Sequence, residues 1–181
     1  MSQPAGRVRV ATIWLSGCSG CHMSFLDQDE ALIDIAQQIQ LVYSPIVDAK
    51  VFPDNVDVTL IEGAVANEDQ QELLKSARER SKILISLGDC AVTGNVTALR
   101  NAWTNSDREV LNRAFVETAD LQPQIPTEVP KLLPMVHPLH EVVKVDYFIP
   151  GCPPPAGLIN YVITQLLHGQ PVNMEGKSKY G

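Results

Sequence analysis

The four cysteines of this chain, Cys18, Cys21, Cys90 and Cys152, all lie in short segments flanked by glycine or proline. These are Gly17-Cys18-Ser19-Gly20-Cys21, Gly88-Asp89-Cys90 and Gly151-Cys152-Pro153-Pro154, and no cysteine is left over for a second site. Four thiolates drawn from three separate loops form the ligand set of a tetrahedral metal centre or of a four-iron cluster. Any fold the chain adopts therefore has to bring three distant loops to one place. Two disulfides are the other arrangement, but they suit small secreted domains with little core. At 181 residues the chain is long enough for one domain that buries roughly two thirds of its unfolded surface.

The net charge of -7 gives no basic footprint for nucleic acid or an anionic membrane. Apolar runs such as Val10 to Leu15 and Ile83 to Leu87 are too short to span a bilayer. Arg7 and Arg9 near the start form no twin-arginine or cleavage pattern. A cytoplasmic location is expected, and in a reducing compartment four cysteines favour metal over disulfides.

Strand and helix signals alternate through residues 6–103. Arg7 to Leu15 reads as a strand feeding the first cysteine loop. From Ser24 onward, Phe25, Leu26, Leu32, Ile33, Ala36 and Ile39 recur at helical spacing, with Asp27, Asp29, Glu30 and Asp34 in the first turns. Gln40 to Ser44 and Asp57 to Ile61 read as strands. Asn67 to Arg80 predicts a surface helix capped by Asn67. Lys82 to Leu87 is a further strand that runs into the Cys90 loop. This alternation predicts an α/β fold with an open, mainly parallel sheet and helices on both faces. The crevice of such a sheet lies at the carboxyl ends of its strands, so Cys18, Cys21 and Cys90 should converge there.

After Trp103 the pattern changes, because nine of the 13 prolines fall between Pro123 and Pro155. Residues 104–155 are expected to form an irregular region, ending in an extended Val142 to Ile149 that leads to Cys152. A helix is expected over 156–168, then a tail over 169–181 whose end, from Met174, is polar and mobile. The whole of 1–181 is read as one domain.

The C-x-x-C pair places two sulfurs on one tight loop, where Gly17 and Gly20 allow close approach of peptide N–H groups to a buried anion. Pro153 fixes the backbone beyond the fourth ligand. Zinc could use the same four thiolates, although it commonly takes two C-x-x-C knuckles and only one is present. A lone C-x-x-C also suits a redox dithiol. Ligands from isolated glycine loops tilt the reading toward iron–sulfur.

The motifs Cys18-Ser19-Gly20-Cys21, Glu62-Gly63, Gly88-Asp89-Cys90-Ala91 and Pro150-Gly151-Cys152-Pro153-Pro154 resemble, in order and position, the small subunit of [NiFe] hydrogenases. The resemblance runs from about Val8 to His168. Ser19 to Asp27, Glu62 to Glu68 and Asp146 to Pro154 are most similar to the bidirectional NAD-reducing type, which is related to the small cluster-bearing subunit of respiratory complex I.

The resemblance implies a flavodoxin-like fold and one proximal [4Fe-4S] cluster on Cys18, Cys21, Cys90 and Cys152. It also implies a separate large subunit with the nickel–iron centre, and iron–sulfur and flavin diaphorase subunits that bind NAD and FMN. The chain would be an electron relay in H2 + NAD+ = H+ + NADH, with no catalytic acid, base or nucleophile. FMN is not expected in this chain, because its first strand–helix loop is committed to metal. Membrane-bound hydrogenase small subunits add a twin-arginine signal and a two-cluster extension, neither of which is present here. The complex I relative has adjacent cysteines in its first motif, whereas Ser19 and Gly20 intervene here. A complex I-like quinone reductase subunit and a zinc-stapled interaction module are the alternative readings.

Two further residues are candidates near the centre. Small subunits of other hydrogenase classes often have an acidic residue shortly after the second cysteine; here His22-Met23-Ser24 follow, and His22 is either a hydrogen-bonding neighbour of the cluster or an ordinary surface or interface histidine. Glu62 matches a family position facing the large subunit; it is either an interface or proton-path residue or a solvated strand end. Trp14 is read as packing, His137 and His140 as structural or interface residues, and Asp89 as an acceptor in its own turn with no assigned chemistry.

Overall fold

The structure, a computed structural model, describes residues 6–177. The chain opens with β1 (Val8–Trp14), α1 (Gly20–Leu26), α2 (Ala31–Gln38) and β2 (Ile39–Tyr43). It continues with β3 (Val56–Glu62), β4 (Val65–Asn67), α3 (Glu68–Arg80), β5 (Ser81–Leu87) and α4 (Asp89–Thr93). A 3₁₀ helix (Asn95–Ala102) and α5 (Ser106–Asn112) follow, and α5 runs on into a wider turn over Arg113–Glu117. The remaining elements are β6 (Leu132–His137), α6 (Leu139–Val142), β7 (Tyr147–Ile149) and α7 (Ala156–Leu167).

The main sheet has the order β2-β1-β3-β5-β7, and every pair in it is parallel. Counted along the chain within this sheet, that is the 2-1-3-4-5 order of flavodoxin-like folds. Parallel strands are covered on both faces, so their side chains feed two cores at a period of two. Ala11, Ile13 and Leu84 pack with Leu74 and Ala77 of α3 and Leu139 of α6. Val10, Val58, Leu60, Ile85 and Leu87 pack on the other face with Ile35 of α2 and Ile159, Val162 and Ile163 of α7. Each large aliphatic side chain so buried stabilises the fold by roughly 1.5–3 kcal/mol. The helices clamp the sheet from both sides and leave its carboxyl edge free for the loops.

The structure differs from the sequence expectation in three places. The single helix expected from Ser24 is two helices. Asp29 takes a left-handed backbone at φ 48°, and Gln28 folds its amide Nε2 back onto the Phe25 carbonyl at 2.9 Å. A side chain thus closes α1 before α2 begins, although Phe25 and Leu32 pack on the same core.

Secondly, residues 104–155 are more ordered than expected. β6 pairs antiparallel with β4. Arg100 ties this unit together, donating to Ser106 Oγ and to the Leu133 carbonyl, each at 2.8 Å, and to the Ala66 carbonyl at 3.3 Å. Thirdly, the extended segment Val142 to Ile149 is a strand only over β7, because Val142 closes α6. Of the tail expected to be mobile, Met174 packs on the α7 core and Lys177 Nζ lies 5.0 Å from the Tyr161 ring centroid. Residues 178–181 fall outside the described residues.

Candidate metal centre

Three parallel strands, β1, β3 and β5, deliver their following loops to one edge of the sheet. The loop after β1 is pinned to the loop after β3 by Ser16 and Ala64, which exchange backbone hydrogen bonds of 3.0 and 2.8 Å. Gly63 permits this approach: its φ is +84°, and a Cβ there would stand 2.8 Å from Leu15 and Ser16 backbone atoms. The loop after β5 is pinned to the loop after β7. Gly88 donates to the Ile149 carbonyl at 2.7 Å, and Asp89 donates its N–H to the Gly151 carbonyl at 2.9 Å. Ser24 Oγ of α1 donates to the Pro154 carbonyl, joining the first cysteine segment to the last.

As a result Cys18, Cys21, Cys90 and Cys152 line one shared cavity, with Glu62 and Asp89 also on its wall. All four thiols are free of disulfides; Cys21 and Cys90 are half-buried, while Cys18 and Cys152 are exposed. The cavity is therefore sheltered on the side of the sheet and open outward. Among the described residues no three of His, Cys, Asp and Glu are grouped as ligands of a single metal ion.

The thiols are crowded by one another and by two carboxylates. The Cys21 thiol is pushed up to about 12, first by burial and then by the charges of Glu62, Cys90, Cys18 and Cys152. Cys90 is pushed up as well, by burial and then by Cys152, Cys18, Glu62 and Asp89. The side chains acting on these two thiols are all carboxylates or other thiols. An all-thiolate donor set is soft and suits zinc or iron–sulfur. The glycines show how tightly the cradle is drawn: a Cβ on Gly88 would lie 2.2 Å from Cys21 Sγ, and one on Gly20 would lie 3.3 Å from Cys18 Sγ. Thiols, backbone and charge all fit a thiolate-ligated centre.

Glu62, at the end of β3, is 1% exposed, which overturns the reading of it as a solvated strand end. Its Oε2 accepts the His22 backbone N–H at 2.6 Å and lies 2.7 Å from His22 Nδ1. His22 Nε2 is buried with no partner among the described residues. The His22 ring leans on Trp14, with centroids 5.4 Å apart, so Trp14 packs as expected while remaining 40% exposed.

Residues 18–166 match the family described as NADH ubiquinone oxidoreductase, 20 Kd subunit. The chain is 41% identical to the NAD-reducing hydrogenase HoxS subunit delta of Cupriavidus necator, over 93% of this chain and 83% of that one. It superposes on a chain of the crystal structure of an NAD+-reducing [NiFe]-hydrogenase in the H2-reduced state with a TM-score of 0.90. That match has 39% identity and covers 97% of this chain and 99% of the other. The chain belongs to this hydrogenase small-subunit family. It is also 40% identical to a subunit of the F420-non-reducing hydrogenase of Methanocaldococcus jannaschii, over 90% of this chain but only 57% of that longer relative.

Membership of the NAD-reducing [NiFe] hydrogenase small subunits places the chain in a family that binds an iron–sulfur cluster. Among the described residues no helix is long and apolar enough to cross a membrane. His137 and His140 make local contacts. His137 Nδ1 lies 2.7 Å from Glu141 Oε2, and His140 meets the Phe148 ring edge-on at 5.9 Å. Sequence reasoning left Asp89 without a role beyond its own turn. Its side chain instead reaches Gly151, 62 positions further on, where Oδ1 accepts that N–H at 2.6 Å. The signal available was its place between Gly88 and Cys90, an acid where a small polar residue would satisfy a turn.

Proposed function

We propose that this small subunit relays electrons through one [4Fe-4S] cluster held by Cys18, Cys21, Cys90 and Cys152. The electrons come from the nickel–iron centre of a large subunit and go on to iron–sulfur and flavin subunits that reduce NAD in the cytoplasm. One observation carries the reading. Four unpaired thiols, each from a loop pinned by backbone hydrogen bonds, line one cavity in a chain so similar to the HoxS delta subunit.

The cluster, when bound, supplies reversible one-electron chemistry at a potential set by its surroundings. The work of the polypeptide is to hold and shelter it. Half-buried Cys21 and Cys90 would hold it on the side of the sheet edge, and exposed Cys18 and Cys152 on the outer side. Glu62 orients His22 beside the C-x-x-C loop. Trp14, Met23, Leu26 and Ile46 leave an exposed apolar surface next to this loop, of the kind that a partner subunit covers. No residue of this chain is assigned an acid, base or nucleophile. Both hydrogen cleavage and hydride transfer to NAD belong to other chains.

Metal analysis of the complex, recovered anaerobically on a tag carried by this subunit, tests the proposal. Iron together with nickel, and a broad brown visible absorption, is the expected result. Iron without nickel would move the chain to a quinone-reductase assembly. Zinc as the sole metal would end the electron-transfer reading.

A further inference from the structure

The loop bearing Cys90 and the loop bearing Cys152 are fastened by a reciprocal pair of hydrogen bonds centred on one residue. Asp89 donates its backbone N–H to the Gly151 carbonyl at 2.9 Å, and its Oδ1 accepts the Gly151 N–H at 2.6 Å. Asp89 is 5% exposed. Gly151 has φ +135°, a conformation open to glycine and not to residues with a Cβ. Its peptide is therefore held in an unusual orientation, and the buried carboxylate holds it.

A turn residue needing only an acceptor could be serine or asparagine. Burying a full charge is costly unless it is paired or hydrogen-bonded. Asp89 lines the same cavity as the four thiols, so its carboxylate, hydrogen-bonded to Gly151, places on that wall a negative charge that an amide would not.

We propose that Asp89 is a positioning residue for the cluster: its carboxylate locks Gly151, and with it Cys152, to the Cys90 loop, and sets one fixed negative charge beside the iron. The charge favours the oxidised cluster, which is the more positive of its two redox states, and so lowers the reduction potential. The hydrogen bond to Gly151 fixes the separation of two ligands that come from loops 62 positions apart. Hydrogen-bond partners of this kind around metal ligands typically matter by about 10- to 100-fold in metal affinity. The proposal rests on the reading of the four cysteines as cluster ligands.

Three variants of the whole complex separate the possibilities, with iron retention during gel filtration, the electron paramagnetic resonance signal of the reduced cluster and its midpoint potential as readouts. Asp89→Asn keeps the acceptor and removes the charge. It is expected to retain iron and signal shape while the potential rises. Asp89→Ala removes both, and is expected to lose iron about 10- to 100-fold more readily. Cys90→Ala removes a ligand and must lose the native signal; if it keeps full iron and an unchanged signal, the cluster reading fails whatever Asp89 does. Loss of signal in Cys90→Ala, with wild-type iron retention and potential in both Asp89 variants, overturns the role of Asp89 alone. Should Asp89→Ala not assemble, Asp89→Asn decides: a raised potential supports the proposal and an unchanged one overturns it.

Discussion

Gly88 is the residue at which backbone geometry and ligand placement meet. Its backbone, at φ 82° and ψ 161°, lies in a region essentially reserved for glycine. A Cβ there would enter the Cys21 sulfur at 2.2 Å and press on the Gly151 carbonyl at 3.4 Å. Gly88→Ala is therefore expected to cost about 1–3 kcal/mol in backbone strain and to displace a ligand sulfur. Iron content per complex should fall sharply, and a variant with full iron would contradict the cradle described here. Gly157 is the matched control, because it lies in α7 with nothing within 4 Å of an added Cβ. Gly157→Ala should raise stability by about 0.5–1 kcal/mol, read as a higher midpoint of thermal unfolding with unchanged iron. The same substitution at two glycines thus has opposite expected signs, and local geometry decides which.

At the scale of elements, α3 and β7 are each held by a side chain that performs a definable task. Asn67 Oδ1 accepts the Gln70 N–H at 2.9 Å, capping α3 as the sequence predicts. Asn67→Ala should lower stability by about 1 kcal/mol in chemical denaturation. Asp146, just before β7, accepts the Leu84 N–H at 2.9 Å and pairs with Arg78. Burial acts to raise its carboxyl, but the bonds from Leu84 and Arg78 outweigh burial and hold it below the ordinary carboxylate value. A depressed folded value means that this stabilisation is present above the unfolded pKa of about 3.9 and fades as pH falls through the folded one. Asp146→Ala should cost about 1–2 kcal/mol at neutral pH by taking away the acceptor of the Leu84 N–H and the charge partner of Arg78. It should also flatten the acid limb of the stability profile, and an unchanged limb would contradict the assignment.

These elements also show what the sequence revealed. The sheet strands, α3 and α7 were legible because apolar periodicity and caps are local signals. The cysteine loops were legible because glycine and proline flank every ligand. The break between α1 and α2 was hidden, since Asp27, Asp29 and Glu30 look like the first turn of one helix. β4 and β6 were hidden because their pairing depends on Arg100 reaching the Ala66 and Leu133 carbonyls, a contact between distant segments. The burial of Glu62 and the reach of Asp89 were unreadable for the same reason: their partners, His22 and Gly151, lie in other loops.

Across the whole molecule, a flavodoxin-like sheet turns its carboxyl edge into a thiolate site, where such folds elsewhere place a ligand. Two cores fix the sheet, backbone bonds between loops fix the thiols, and an exposed apolar surface lies alongside. The proposed division of labour has the large subunit cleaving hydrogen and this chain passing on the electrons. The most direct measurement uses the assembled complex carrying Cys90→Ala, assayed for hydrogen-driven NAD reduction and for hydrogen–deuterium exchange at the nickel–iron centre. The expected result is loss of NAD reduction with exchange retained, because cleavage needs no relay and NAD reduction does. NAD reduction at the unmodified rate would contradict the relay outright.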